Sequence, residues 1–380
     1  MLLTIFPDFD FIHAKKDVGQ ICVRLAKYFN VKPHVLAYKE IPSSKVDCNP
    51  GLLNVIKIKE LVRRRNHRSL DVNVILFLLF NSKKIKVLNL YHCTFASQMY
   101  INLYKRINKN GIAYLKLDQD LNDDKNSNDS AELGLKSWVK KIVYSEFINS
   151  VDIVSAETQE GYLLINDLNI YNEKLIKVPN GFSSDYYLEN NIAPSFEDKE
   201  NLILTVGRIG SQQKNIKLML SVLSKVDLKN WKYVFAGPIE PSFEEEIDAF
   251  FFDNPEKKGV VEFIGMQNDT ELNDLYRKAK LFVLSSNYEG FPLVFPEALF
   301  FGCYILTTNV SSSEDITKNG TVGTVVPIGC IDSMRKSLQH LIDTDISKDM
   351  FFDSVELCKK EFYWDEIVKD SFYKFKCINE

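Results

Sequence analysis

Strand-sized apolar runs alternate with helix-sized segments along this chain, stop at a polar break, and then start again. No other feature limits the possible folds as much. In the first half the apolar runs over 2–6, 34–38, 85–90, 113–117, 151–155 and 175–178 predict strands, with helices over 19–29 and around Leu103 and Tyr104. Residues 189–200, polar with one proline, read as a linker. The pattern then resumes, with strands predicted over 202–206, 233–237, 260–264, 281–285 and 304–308. Helices are predicted over 216–226, 244–252, 270–279 and near 293–301. Alternation of this kind specifies a parallel sheet with helices on both faces. The expected architecture is α/β: two Rossmann-like, doubly wound parallel-sheet domains facing a cleft, with ligands at the carboxyl ends of the strands. The expected boundaries are 1–190, 191–361 and a terminal segment over 362–380.

A chain of 380 residues, 45% hydrophobic and 26% charged, is long enough for two cores and too apolar to stay disordered. Its longest apolar run, 74–80, is far short of the roughly 20 residues that span a bilayer. The start, Met1-Leu-Leu-Thr-Ile-Phe-Pro, lacks a basic region and a cleavage site, so a cytoplasmic protein is expected. Seven scattered cysteines without a C-x-x-C pair argue for reduced thiols, and the histidines show no metal-binding spacing. No metal or other resident cofactor is expected. Charge is uneven: the first half is net positive, the second net negative, and 46–110 is the most basic stretch. Within it, 55–70 reads as a basic helix with apolar Val55, Ile56, Leu61 and Val62. Such a helix suits the anionic inner face of a membrane as well as it suits packing on its own domain. It carries no aromatic residue, which argues against nucleic acid.

The second half holds the most telling segment, Ser285-Ser-Asn-Tyr-Glu289-Gly290-Phe291-Pro-Leu293-Val294-Phe-Pro-Glu297. A strand ends, a loop presents Glu289, and a helix begins near Pro292, where proline's missing N–H leaves no bond unmade. Free amides at that start can hold phosphate or sugar oxygens, and a carboxylate at Glu297 can accept two diol hydrogens. Taken alone, two glutamates eight apart favour a plainer reading, with Glu289 a turn residue and Glu297 a residue that compensates the helix dipole. Their company decides: Val206-Gly207-Arg208-Ile-Gly-Ser-Gln-Gln-Lys214 brings two cations and a glycine to the end of another buried strand. A diphosphate needs such cations and close backbone approach. Neither a Walker A nor a G-x-G-x-x-G pattern occurs in this loop, which argues against nucleoside triphosphates and NAD.

Gly207-Arg208…Lys214, then Phe263-Ile-Gly265, then Glu289-x7-Glu297, together with the terminal Glu361-Phe-Tyr-Trp364 segment, resemble the retaining glycosyltransferases of family 4 (glycosyltransferase group 1), which have the GT-B fold. The resemblance implies a nucleotide-diphosphate-sugar donor and a hydroxyl acceptor, a saccharide or a lipid-linked saccharide of a cell-surface polysaccharide. It implies that a terminal helix over 362–380 crosses back to the first domain, and that Arg208 and Lys214 hold the diphosphate, Glu297 the ribose, and Glu289 the sugar. The amides of Gly290, Phe291, Leu293 and Val294 would lie near sugar and phosphate, and the backbone of Gly265 and Met266 near the base. The usual proposal for the family is same-face substitution, although Glu289 could also be read as a double-displacement nucleophile.

In the first half the resemblance makes Gly19, in the loop His13-Ala-Lys-Lys16-Asp17-Val-Gly19 that opens the first helix, the glycine that lets backbone approach the diphosphate. Relatives often carry two glycines there. Lys16 and Asp17 flank it on the acceptor side. His92 either lines the cleft or is a buried structural histidine. Where many relatives have a histidine, this chain has Asp118, which either binds a sugar hydroxyl, serves the acceptor as a base, or caps a turn. Glu157 and Asn180-Gly181 end further strands and complete the acceptor-side candidates. Two rivals stand beside the transferase: a nucleotide-sugar epimerase of the same fold and a non-catalytic partner subunit.

Overall fold

A computed structural model describes residues 1–39, 53–62, 70–117, 135–185, 187 and 193–376. The chain forms two compact units, Met1–Ser183 with Trp364–Glu380, and Ser184–Tyr363.

The first unit is built on seven parallel strands: β1 (Leu2–Ile5), β2 (Pro33–Ala37), β3 (Asn54–Lys57), β4 (Val87–Tyr91), β5 (Ile112–Leu117), β6 (Ile153–Ala156) and β7 (Leu175–Lys177). Their order is β3-β2-β1-β4-β5-β6-β7. Side chains alternate between two cores, as the pleat requires. Leu2, Val35, Val87 and Ile112 meet Val18, Ile21 and Leu25 of the helix Asp17–Tyr28. Leu3, Leu36, Leu88 and Ala113 face Val74 and Leu78 of the helix Val72–Asn81 and Tyr100 of Phe95–Ile107. The terminal helix Trp364–Ser371 buries Trp364, Ile367 and Val368 in the first of these cores.

The second unit has six parallel strands: β8 (Glu200–Val206), β9 (Lys232–Ala236), β10 (Val261–Phe263), β11 (Ala279–Leu284), β12 (Tyr304–Thr308) and β13 (Gly323–Val326). Their order is β10-β9-β8-β11-β12-β13. The chain winds outward from β8 through β9 to β10, then returns to the other side of β8 to place β11. The topological switch point therefore lies between β8 and β11, where open α/β sheets bind ligands at the carboxyl ends of strands. β8 and β11 are buried along most of their length, as both-face coverage demands.

Two expectations need correction. The basic segment 55–70 does not begin as a helix: Asn54–Lys57 is a parallel edge strand, with Val55 opposite Val35 and Ile56 opposite Leu36. Two successive β-branched residues beside an open sheet edge outweigh the helical spacing of the charges. Residues 63–69 lie outside the described residues. Likewise the loop expected before Gly19 is largely helical, with a short helix Phe11–Lys15 followed directly by Asp17–Tyr28. Gly19 is what lets these two cross, since a Cβ there would lie 2.2 Å from the Ala14 carbonyl oxygen. Among the described residues, no helix is long and apolar enough to cross a membrane.

Candidate functional site

The loops that leave β8 and β11 are hydrogen-bonded into one body. The Asn287 amide donates to the Gln213 carbonyl (2.8 Å) and its side-chain Nδ2 to the Gln212 carbonyl (2.8 Å). Asn215 Nδ2 donates to Asn287 Oδ1 (2.9 Å), and Ser285 Oγ donates to the Lys214 carbonyl (2.9 Å). Asn215 adopts a left-handed conformation (φ 48°), which asparagine tolerates, and starts the helix Ile216–Leu223. These contacts fix the chain on both sides of Lys214 and bring it against Glu289.

On this body the candidate side chains form a continuous network. Lys214 Nζ donates to Glu289 Oε1 at 2.6 Å, with the two side chains only 14% and 7% exposed. Ser286 Oγ donates to the same oxygen (2.7 Å), and Gln213 Nε2 donates to Oε2 (3.1 Å). The Gln213 Oε1 in turn accepts from Arg208 Nη2 (2.8 Å). The glutamine amide is thus oriented from both ends, with its oxygen toward the guanidinium and its nitrogen toward the carboxylate. Lys214 and Glu289 neutralise each other, and Arg208 is the exposed cation of the network.

Glycines sit at the end of each strand on this side of the sheet. A Cβ on Gly207 would meet Lys214 Cε at 3.0 Å, so the glycine makes room for the lysine stem. Gly237 follows β9 with φ +136°, and a Cβ there would lie 1.9 Å from the Gly207 carbonyl oxygen. Its amide donates to the Gly265 carbonyl (2.8 Å). Gly265 itself has φ +69°, and Met266 beside it is 80% exposed.

The helix Val294–Phe300 begins beyond this network. Pro296 falls in its first turn, where its missing N–H leaves no bond unmade. Among the described residues, the amides of Leu293 and Val294 donate to no protein group. Glu297 in this helix accepts from the Tyr276 hydroxyl (3.0 Å), whose ring stacks against Phe301. Glu297 is partly buried. That burial pushes it up to about 7, against the lowering effect of the Tyr276 hydroxyl.

In the first unit a second buried cluster gathers around Lys116, which is fully buried near the end of β5. Its ammonium donates to Asp17 Oδ2 (3.2 Å), to Glu157 and to Asn180 Oδ1 (3.2 Å), and lies 5.8 Å from the Tyr91 ring centre. Asp17, Glu157 and Asn180, nominated separately from the sequence, are thus brought together by a lysine that was not. Lys16 is exposed, and among the described residues no hydrogen bond or ion pair joins it or the His92 ring to this cluster. His92 instead turns the chain in a left-handed conformation (φ 59°), its amide donating to the Lys116 carbonyl (2.9 Å). Asp118 lies outside the described residues. A separate cavity of about 680 Å³, lined by Asp8, Tyr38 and residues 57–60, holds none of the nominated side chains. Among the described residues no group of histidine, cysteine, aspartate and glutamate could hold a metal ion.

Sequence reasoning also missed Gln213, Asn287, Gly237 and Tyr276. Gln213 adjoins Lys214 and Asn287 precedes Glu289 by two positions, so proximity was the available signal. Gly237 carried one as well, as a glycine ending a predicted buried strand.

Residues 189–352 match the family model described as "Glycosyl transferases group 1". An N-acetyl-D-galactosaminyltransferase of Campylobacter jejuni, named for an undecaprenol-linked saccharide, is 30% identical over 194 residues, 49% of this chain and 50% of that one. The O-antigen chain mannosyltransferase B of Escherichia coli is 23% identical over 44% of this chain and 43% of its own. The chain thus spans about half the length of the curated relatives it matches. The structure of Anabaena HepE in complex with UDP and glucose aligns over 99% of this chain and 100% of that one, with a TM-score of 0.69 and 12% identity. The fold is that of the GT-B glycosyltransferases.

The glycine row makes one clear demand. Gly237→Ala adds both a left-handed strain and a collision with the Gly207 backbone, whereas Gly259→Ala, at φ +83° with no atom within 4 Å, adds strain alone. The expected costs are about 3 kcal/mol or more against about 1 kcal/mol. Denaturant unfolding of the two variants checks this; equal losses would show that the β9 end is not confined.

Proposed function

We propose that the chain is a retaining glycosyltransferase of family 4 that moves a sugar from a nucleotide-diphosphate donor to a hydroxyl acceptor. The observation that carries this reading is the joining of Arg208, Gln213, Lys214 and Glu289 into one network at the β8–β11 switch point. Cations of this kind beside the free amides of a helix start suit a diphosphate, and carboxylates beside them suit sugar and ribose hydroxyls. The family match over 189–352 covers the same loops.

In this reading the bond between the sugar's anomeric carbon and the β-phosphate oxygen breaks as the acceptor oxygen bonds to the same face. The acceptor's proton passes to the departing phosphate oxygen. Arg208, Lys214 and the amides near Leu293 and Val294 stabilise the charge that develops on the leaving group. Glu289 faces the donor sugar, Glu297 the ribose diol, and Gly265-Met266 the base. The chain's own cations supply the charge neutralisation, with no resident cofactor. The cluster around Lys116 belongs to the acceptor side, with Asp17 and Glu157 as its carboxylates, and Asp118 is a further acceptor-side candidate. Relatives named for undecaprenol-linked and O-antigen saccharides support a saccharide or lipid-linked saccharide acceptor in cell-surface polysaccharide synthesis. The basic stretch 46–110 would serve a peripheral contact with an anionic membrane face.

Two measurements on variants test this reading. Arg208→Ala or Lys214→Ala is expected to lower turnover by orders of magnitude, on the scale of roughly 3–4 kcal/mol for a lost transition-state donor. Circular dichroism should show the fold intact, and full activity in either variant would refute the role. Incubation with donor alone should give no epimer, and transfer should preserve anomeric configuration.

The second concerns pH. With its carboxyl at about 7, Glu297 is mostly protonated at pH 6 and mostly ionised at pH 8. Its folded value lies above the unfolded one, so its contribution to stability is present at low pH and is lost as pH rises through about 7. A diol donates more strongly to the ionised form, so donor affinity should rise with pH over that same window. Glu297→Gln should flatten the profile; an unchanged profile would remove Glu297 from the ribose.

A further inference from the structure

We propose that Glu289 also lets the site tell a sugar-loaded diphosphate from a spent one, by opposing the extra charge of the product. This rests on the reading above that the site takes a nucleotide-diphosphate sugar. The chemistry sets the problem. While the sugar is attached, the β-phosphate is bridged on both sides, by an anhydride to the α-phosphate and by an ester to the sugar; once the sugar leaves, that phosphate gains a second ionisable oxygen. A pocket made of cations alone would therefore hold the product more tightly than the substrate, and turnover would stall on release.

The network opposes this. Glu289 is fixed among Lys214, Ser286 and Gln213 by three donors, so its charge stays in the cation cluster whatever is bound. At 2.6 Å and nearly shut off from solvent, the pair cancels most of the field Lys214 would otherwise present. Arg208 is left as the net positive charge of the network. Three donors also leave one lone-pair direction on the carboxylate, enough to accept a sugar hydroxyl. With the sugar present, the carboxylate gains a hydrogen bond; with the sugar gone, it faces a more negative phosphate. One side chain thereby favours the donor and disfavours the product. Burial makes the effect large, because little solvent screens it.

The test is calorimetric titration of the full chain with inorganic pyrophosphate, uridine diphosphate and guanosine diphosphate, with wild type, Glu289→Gln, Lys214→Met and the double variant. Glu289→Gln should bind the diphosphates about tenfold more tightly than wild type, with a steeper salt dependence, while losing transfer. Adding Glu289→Gln to Lys214→Met should recover at least tenfold of the affinity that Lys214→Met loses. The double variant leaves no unpaired buried charge, so this comparison stands where Glu289→Gln alone is poorly folded. Equal or weaker diphosphate binding by the Glu289→Gln variants would overturn the proposal while leaving the transferase reading intact. Failure of wild type to bind any of the three ligands would overturn both.

Discussion

The structure of the second unit depends on the stitching of the β8 loop to the β11 loop. β8 and β11 are far apart in sequence but adjacent in the sheet, and the switch point opens between their carboxyl ends. Left there, two loops would move independently. Asn287 and Ser285 remove that freedom by bonding to the main chain of 212–214, which holds Lys214 and Glu289 together at 2.6 Å. The cost of ordering long polar side chains is met when the protein folds. A site prepared in this way can apply its charges to a transition state with little reorganisation.

The two units handle buried charge differently. In the second, a single lysine balances a single glutamate, and the remaining cation is exposed. In the first, one fully buried lysine serves two carboxylates and an asparagine drawn from two strand ends and a helix start. Apolar residues of similar size would often be at least as stable in such a place. Keeping charges there is a cost that hydrophobic packing does not require, and it falls at the carboxyl edge of the sheet.

Much of this was legible in the sequence, and the reasons differ by residue. Buried parallel strands write themselves as continuous apolar runs, so β1, β2 and β4 to β12 could be read directly, whereas the short edge strands β3 and β13 could not. Arg208, Lys214, Glu289 and Glu297 could be read because strand-end loops with glycine, cation and carboxylate imply a chemistry. Lys116 could not: a lysine inside an apolar strand gives no sign of which distant carboxylates will surround it. Gln213 and Asn287 were hidden because amides have no charge to mark them, and their meaning lies in two partners each. The reading of 55–70 as a helix failed at its start, where sheet pairing of Val55 and Ile56 decided the outcome. For Gly19, tight helix crossing explains the residue without any ligand.

The most direct measurement is amide hydrogen exchange across the whole chain, with and without a saturating nucleoside diphosphate. The account predicts that protection within the second unit concentrates in 207–215 and 286–297, with a smaller effect around Gly265. Protection confined to other segments, with these loops exchanging as before, would contradict it.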